Sequence, residues 1–248
     1  MPANGSLGFL LVHGGAHDAR CWARLIPHLA YPTLAIDLPG RGTRPGHLAS
    51  IQLADFVVAA VEDLDGFRNF ERVILVGHSM AGITIPAIAA QRPDRIAQMV
   101  FVSCFIPPEG KAIADEFPWL VRKLVERASS GAPRRMPQWL ARRLFCNGMT
   151  LDAQRFSLSV TCPEPIGVIF ESVTRATLPP PEAVPRTYIK LLQDRALRPS
   201  QQERFIANLG GCEILALDAG HNAMISEPVA LASLLNEIAN RFDPATLT

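Results

Sequence analysis

Short apolar runs alternate with longer amphipathic stretches along this chain, and this alternation limits the possible folds more than any other feature. Each apolar run has the length and composition of a buried strand, and most of the stretches between them are long enough for helices. Such a pattern predicts an α/β fold, in which helices flank both faces of a mainly parallel sheet of about six strands. The predicted strands are residues 7–12, 33–36, 73–76, 97–103, 188–192 and 214–217.

Four of the remaining stretches carry apolar residues at helical spacing. We predict one helix over residues 21–29 and a second over 51–64, with Ser50 as its N-cap. A third is predicted over 80–91. The last is predicted over 228–241, because the proline that opens this stretch is tolerated in the first turn of a helix.

The composition indicates one soluble domain. The chain has 248 residues, of which 48% are hydrophobic, and its net charge is +1. A balance this close to neutral argues against nucleic acid or an anionic membrane as the main partner. The five cysteines form no C-x-x-C pair, which favours reduced thiols over disulfides or a zinc site. The apolar stretch at residues 9–12 is too short for a signal peptide or a membrane span, so we expect a cytoplasmic protein.

The region from 105 to 185 interrupts the alternation. It is rich in proline, contains a helical run over 119–128, and carries several large aromatic side chains. We interpret it as a lid inserted between two strands of the core, because long insertions of this kind are usually functional. The alternative is a surface subdomain with only a packing role. The predicted organisation is therefore a core over 1–104, the lid insertion over 105–185, and the rest of the core over 186–248.

Ser79 has the setting of a catalytic nucleophile. It lies in the string GHSMAG at residues 77–82, between a predicted strand and a predicted helix. This arrangement is typical of the nucleophile elbow, in which a sharp turn lifts the serine hydroxyl out of the sheet. The usual pattern is G-x-S-x-G, and here Ala81 stands at the last position. Alanine is small enough to preserve the geometry.

A serine nucleophile needs a base and an acid, and two other strand ends offer them. His221 follows the last predicted strand and is the candidate base, since a histidine can take and return a proton near neutral pH. Asp194 follows the preceding strand and is the candidate acid, in the chain order serine, acid, histidine. Asp218, three residues before His221, is the alternative acid.

Two backbone N–H groups are expected to bind the developing oxyanion. One belongs to Met80, the residue after the nucleophile. The other comes from the glycine-containing loop after the first strand, where we choose Gly15 and keep Ala16 as the near alternative. The candidate substrate-binding residues are Ala16, His17, Trp119 and Met224.

Several of these segments together resemble the α/β-hydrolase superfamily, and within it the branch of plant methyl esterases and hydroxynitrile lyases. The resemblance covers most of the chain outside the insertion. Inside the insertion, only CPEP at 162–165 is similar to a lid motif of the branch. The core segments that carry it are LVHGGAH at 11–17 with Trp22, DLPGRG at 37–42, GHSMAG at 77–82, Tyr188 and Ile189 leading to Asp194, and GHNAM at 220–224 followed by Glu227 and Pro228.

The resemblance implies a serine hydrolase of a carboxylic ester, thioester or lactone, and implies no metal or organic cofactor. The aromatic, Leu, Val and Ile side chains of the insertion suggest that the substrate carries a small apolar or aromatic group. The lyases of the branch carry a threonine after the first-loop histidine and a lysine after the catalytic histidine. Here these positions are Gly14 and Asn222, which favours an esterase. A lyase that uses the same triad and a ligand receptor with weak turnover are the alternatives. The oligomeric state is open, with a homodimer among the possibilities.

Overall fold

Six parallel strands form a single sheet in the order β2-β1-β3-β4-β5-β6. The computed structural model describes residues 6–68, 70–129, 135–175 and 178–242. All six predicted strands are present, and their ends differ from the predicted ones by two residues at most. The strands are β1 (Leu7–Val12), β2 (Thr33–Ile36), β3 (Arg72–His78), β4 (Ile96–Val102), β5 (Arg186–Leu191) and β6 (Glu213–Leu217).

Both faces of the central strands are buried, which explains their unbroken apolar sequences. Along β1, Leu10 and Val12 face one hydrophobic core, while Phe9 and Leu11 face a second core on the other side of the sheet. Successive side chains of a strand point to opposite faces, so one short run supplies both cores. The predicted α/β fold, with a parallel sheet between layers of helices, is confirmed.

Three of the four helices predicted outside the insertion differ from the observed ones. The α-helices of the described residues are α1 (Leu53–Gly66), α2 (Ile85–Gln91), α3 (Trp119–Ser129), α4 (Gln138–Phe145), α5 (Leu151–Ser159), α6 (Pro199–Leu209), α7 (Ala223–Ser226) and α8 (Pro228–Asn240). The helix predicted over 21–29 is wrong, because that stretch holds two 3₁₀ turns, Ala19–Trp22 and Ile26–His28. Pro27 lacks an N–H and disfavours helical geometry at the residue before it.

The second and third differences concern helix starts. Gln52, not Ser50, is the N-cap residue of α1, and its N–H donates to the Asp55 carboxylate at 2.8 Å. The helix predicted over 80–91 is divided into a 3₁₀ turn, Ser79–Ile83, and α2.

The insertion (residues 105–185) connects β4 to β5 and packs against the loop after β1. It contains α3, α4 and α5 and a 3₁₀ turn at Ile166–Phe170. Its Cys162 N–H donates to the carbonyl of Ala16 at 2.9 Å, and Thr161 forms an isolated β-bridge with His17. The insertion therefore lies over the carboxyl end of β1, on the side of the sheet where the candidate residues gather.

Within the described ranges, no helix combines the length and the apolar composition needed to span a bilayer.

Candidate active site

The chain turns sharply at Ser79, directly after β3. Ser79 has φ 53°, in the left-handed region that a non-glycine residue occupies at a cost of about 1–2 kcal/mol. Its neighbours leave little room: a methyl group on Gly77 would lie 3.0 Å from the side chain of Ile85, and one on Gly82 would overlap the carbonyl oxygen of Phe105. Ala81, which stands where the usual pattern has glycine, is buried without disturbing this turn.

A continuous chain of hydrogen bonds links Ser79, His221 and Asp194. His221 Nε2 lies 3.0 Å from Ser79 Oγ, and His221 Nδ1 lies 2.7 Å from Asp194 Oδ2. Because an ionised carboxylate only accepts hydrogen bonds, Nδ1 carries the proton in the neutral ring and Nε2 is free to accept from the serine hydroxyl. All three side chains are buried. The structure thus brings together the three residues that the sequence suggested for nucleophile, base and acid.

Asp194 is held as a carboxylate by the groups around it. Burial alone would raise the pKa of this carboxyl, but the neighbouring His221 and several hydrogen bonds outweigh it and lower the pKa below the usual value. Its Oδ1 accepts the N–H groups of Ala196 and Leu197, both at 2.8 Å. The alternative acid, Asp218, is exposed and accepts a hydrogen bond from Gln193 instead.

Sequence reasoning missed Ser103, which supports the acid. Ser103 directly follows β4 and donates its hydroxyl to Asp194 Oδ2 at 2.6 Å. It is fully buried, and its φ of 43° turns the chain sharply at the strand end. A signal was available: a polar residue ends β4 beside β5, and the loop after β5 carries Asp194.

Two other histidines have structural roles. His78 Nε2 donates to the carbonyl of His221 at 2.9 Å, and the two ring centroids lie 4.6 Å apart. Burial, and then repulsion from His221 when that ring is protonated, keep the pKa of His78 well below its usual value, so it stays neutral. His13 donates to the carbonyl of Gly14 at 2.9 Å and accepts the N–H of Leu38 at 3.2 Å. Burial, and then Arg41, lower the pKa of His13 to about 3.

The loop after β1 lies against Ser79, the candidate nucleophile. A methyl group on Gly14 would lie 2.8 Å from Ser79 Cβ, and one on Gly15 would lie 3.5 Å from the sulfur of Met80. The carbonyl of Gly14 faces His13, so in a trans peptide the N–H of Gly15 points away from that ring. The N–H of Ala16 is already occupied, since it donates to the Glu164 carboxylate. This occupancy favours Gly15 over Ala16 as an oxyanion donor beside Met80.

The remaining predicted substrate contacts lie in different environments. His17 is buried, donates from Nδ1 to the carbonyl of Gly15 at 2.8 Å, and accepts from Asn222 at 3.1 Å. Burial lowers its pKa to about 4. Met224 is buried in α7, two residues after Asn222. Trp119 begins α3 with 74% of its surface exposed, so it faces solvent and is not packed on Ser79; its contact with substrate stays a prediction.

Phe145 of the insertion covers His221, the candidate base, a contact that the sequence did not indicate. Its ring stacks on that of His221 at an angle of 22°, with 5.5 Å between the centroids, and makes an edge contact with His17 at 5.1 Å. Among the described residues, no group of three or more His, Cys, Asp or Glu side chains is arranged to hold a metal ion.

The arrangement can perform acyl transfer. It holds a hydroxyl beside an unprotonated imidazole nitrogen, a carboxylate behind that imidazole, and backbone N–H groups where negative charge would develop. Such parts act together, because the carboxylate fixes the imidazole tautomer that removes the hydroxyl proton.

Several known proteins are similar to this chain over nearly its whole length. Methylesterase 7 of Arabidopsis thaliana is 29% identical over 98% of this chain and 100% of its own length. Norfluorocurarine synthase 1 of Strychnos nux-vomica is 28% identical over 94% of this chain and 95% of its own. Among solved structures, an extracellular alpha/beta-hydrolase from a Paenibacillus species, described as homologous in structure and function to tobacco Salicylic Acid Binding Protein 2, superposes with a TM-score of 0.82 at 25% identity, covering 93% of this chain and 98% of the other.

A family model described as the Alpha/beta hydrolase family matches residues 9–234, which is most of the chain. The match includes every strand of the sheet except the first two residues of β1, and each of the three loops that carry Ser79, Asp194 and His221. This chain therefore belongs to the alpha/beta hydrolase family.

Proposed function

We propose that this protein is a serine esterase that cleaves a carboxylic ester, or a related thioester or lactone, of a small apolar or aromatic substrate. The observation that carries the proposal is the hydrogen-bonded chain from Ser79 through His221 to Asp194. The likeness to a methylesterase over nearly the whole chain supports it.

The proposed reaction has two halves. In the first, Ser79 Oγ attacks the carbonyl carbon and its proton passes to His221 Nε2. The N–H groups of Gly15 and Met80 stabilise the oxyanion, and the alcohol leaves with the proton from His221. In the second half, His221 removes a proton from water, which attacks the acyl-enzyme. The acid is released, and Ser79 recovers its proton.

The insertion supplies the apolar surroundings of the site. Phe145 shields His221, and Ser79 has only 7% of its surface exposed, which supports a site that a movable segment covers. We therefore propose that the insertion is a lid. The five cysteines are free thiols, which supports the proposal of a reducing, cytoplasmic compartment.

Labelling with a fluorophosphonate probe tests the nucleophile. Wild type should be labelled and should hydrolyse p-nitrophenyl esters, whereas Ser79→Ala should do neither. Ser226→Ala is the matched control, because this serine lies in the neighbouring α7 and its hydroxyl has no partner among the described residues. Equal labelling of wild type and Ser79→Ala would refute the assignment. Preference for acetate over every larger or aromatic ester would refute the apolar acyl pocket.

A second candidate is a non-hydrolytic reaction of the same fold, such as that of a lyase, because one relative that matches nearly as well as the methylesterase is named as a synthase and not as an esterase. Analysis of products separates the two activities. A new carboxylic acid and alcohol from the substrate support hydrolysis, and cleavage of a C–C bond without water uptake supports the lyase.

A further inference from the structure

The insertion holds both backbone polar groups of Ala16, the residue next to the proposed oxyanion donor Gly15. The N–H of Ala16 donates to the carboxylate of Glu164, and its carbonyl accepts the N–H of Cys162 at 2.9 Å. Glu164 and Cys162 lie in the insertion, far along the chain from this loop. The conformation of the loop after β1 is therefore determined partly by a separate segment that packs on it.

This support acts at a strained position. Ala16 has φ 57°, a left-handed conformation that alanine does not adopt without compensation. The peptide that joins Gly15 to Ala16 is held at both ends, because its carbonyl accepts from His17 Nδ1 and its N–H donates to Glu164. The peptide that precedes it, which carries the N–H of Gly15, is held through the Gly14 carbonyl by His13. Holding the Gly15–Ala16 peptide as well restricts the dihedral angles of Gly15 between the two, and so keeps the N–H of Gly15 in place.

Arg41 in turn holds Glu164. The Arg41 side chain, fully buried, comes from the loop after β2 and donates through Nη2 to the other oxygen of Glu164. Its guanidinium also lies over the ring of Phe56, 4.8 Å from the centroid. Among the described residues, Arg41 Nε and Nη1 have no hydrogen-bond partner, so Glu164 is the carboxylate that balances this buried cation. The pair thus joins the insertion to the loop after β2.

We propose that Glu164 is a positioning residue that orients the oxyanion loop, so that docking of the insertion completes the active site. This inference rests on the proposed esterase function. A substrate reaches Ser79 when the insertion lifts, and lifting breaks the contacts of Glu164 and Cys162 with Ala16. Closure restores them and aligns the N–H of Gly15 with the N–H of Met80. Assembly of a catalytic site on closure is a known means of tying chemistry to substrate binding.

The test compares two glutamates of the insertion. Glu164→Ala removes the acceptor at Ala16, whereas Glu171→Ala removes an acceptor that binds the N–H of Leu53, at the start of α1. We expect Glu164→Ala to lower kcat by about 10- to 100-fold with little change in KM, because removing an oxyanion donor outright costs about 10²- to 10³-fold and misalignment costs part of that. Glu171→Ala should leave kcat within about twofold of wild type.

A transition-state analogue distinguishes positioning from general damage. A trifluoromethyl ketone that adds to Ser79 places an oxyanion in the site, so its inhibition constant should rise with Glu164→Ala by the same factor as kcat/KM falls. The corresponding secondary alcohol, which forms no oxyanion, should bind both proteins equally. If Glu164→Ala does not fold, Glu164→Gln keeps one acceptor and should show the same pattern with a smaller factor.

Several outcomes overturn the proposal. Equal losses of kcat in Glu164→Ala and Glu171→Ala would show that loosening the insertion anywhere has the same effect. Unchanged kcat in Glu164→Ala, or unchanged affinity for the trifluoromethyl ketone, would remove Glu164 from the oxyanion loop. These results leave the esterase proposal intact as long as Ser79→Ala abolishes hydrolysis. Equal hydrolysis by wild type and Ser79→Ala would overturn both.

Discussion

Replacing Asp194 by asparagine tests the proposed triad with little change in shape. In the wild type, Oδ1 of Asp194 accepts two backbone N–H groups, from Ala196 and Leu197, and these require an oxygen. An asparagine would therefore keep its oxygen there and place its NH₂ group at the Oδ2 position, 2.7 Å from His221 Nδ1. An NH₂ group donates, so Nδ1 would have to accept and the ring proton would move to Nε2.

The tautomer change gives the expected magnitude. With its proton on Nε2, His221 cannot accept the proton of Ser79, and the corresponding change in a serine protease triad lowers kcat about 10⁴-fold. This factor corresponds to about 5.5 kcal/mol of transition-state stabilisation.

The assay is the steady-state hydrolysis of the best p-nitrophenyl ester at pH 7. Asp218→Asn serves as the control, because Asp218 is the other acid near the strand ends and its exposed carboxylate binds Gln193. We expect this control to stay within about twofold of wild type. Retention of more than a tenth of the wild-type kcat by Asp194→Asn would refute the tautomer argument, as would an equal loss in Asp218→Asn.

Three further outcomes concern stability, measured by urea unfolding. Ser103→Ala should destabilise the protein by about 1.5–3 kcal/mol, since it removes a hydrogen bond to the charged Asp194; no loss would show that this bond is unimportant. Gly82→Ala should cost about 1–3 kcal/mol through overlap with the Phe105 carbonyl, whereas a methyl group on Gly66 meets only open space, so Gly66→Ala should change little. Stability should fall as the pH drops from 6.5 towards 4, because His17 stays neutral in the folded state to about pH 4 while the unfolded chain takes up protons below 6.5. His17 should contribute a slope of about 1.4 kcal/mol in the free energy of unfolding per pH unit between pH 6.5 and 4. A wild-type free energy that does not change over this range would contradict this cause. So would a His17→Gln variant whose free energy falls as steeply as that of wild type.

The sheet, and the loops at the carboxyl ends of its strands that carry the candidate residues, could be predicted because both depend on local sequence patterns. Strands buried on both faces need continuous apolar runs, and polar residues at their carboxyl ends stand out against that background. Ser79, Asp194 and His221 each follow such a run, so the sequence alone indicated which loops would meet. The sequence favoured Asp194 over Asp218 because Asp194 follows its own strand between the serine and the histidine, and in the structure Asp194 reaches His221 whereas Asp218 binds Gln193.

What could not be predicted depends on contacts between distant segments. Glu164 is 148 residues from Ala16 along the chain, and no local pattern marks it as a partner of the first loop. Phe145 contacts His221 from the insertion. No strand pattern in the insertion indicates where its helices lie relative to the sheet, so this contact could not be predicted. The prediction of a helix over 21–29 was wrong for a local reason. The apolar residues there have helical spacing, but Pro27 disfavours helical geometry at the residue before it, and the stretch forms a 3₁₀ turn.

The stacking of Phe145 on His221 limits how this protein can be redesigned. In many enzymes a covering segment can be exchanged for that of a relative to alter substrate choice while the chemistry stays in the scaffold. Here one face of the base is built from the insertion itself. An exchanged segment would have to bring an aromatic ring to the same place, or the hydration of the base would change together with the shape of the pocket. If the proposed function holds, a change of the insertion would alter both substrate range and proton transfer, so a chimera should keep the end of α4, which carries Phe145.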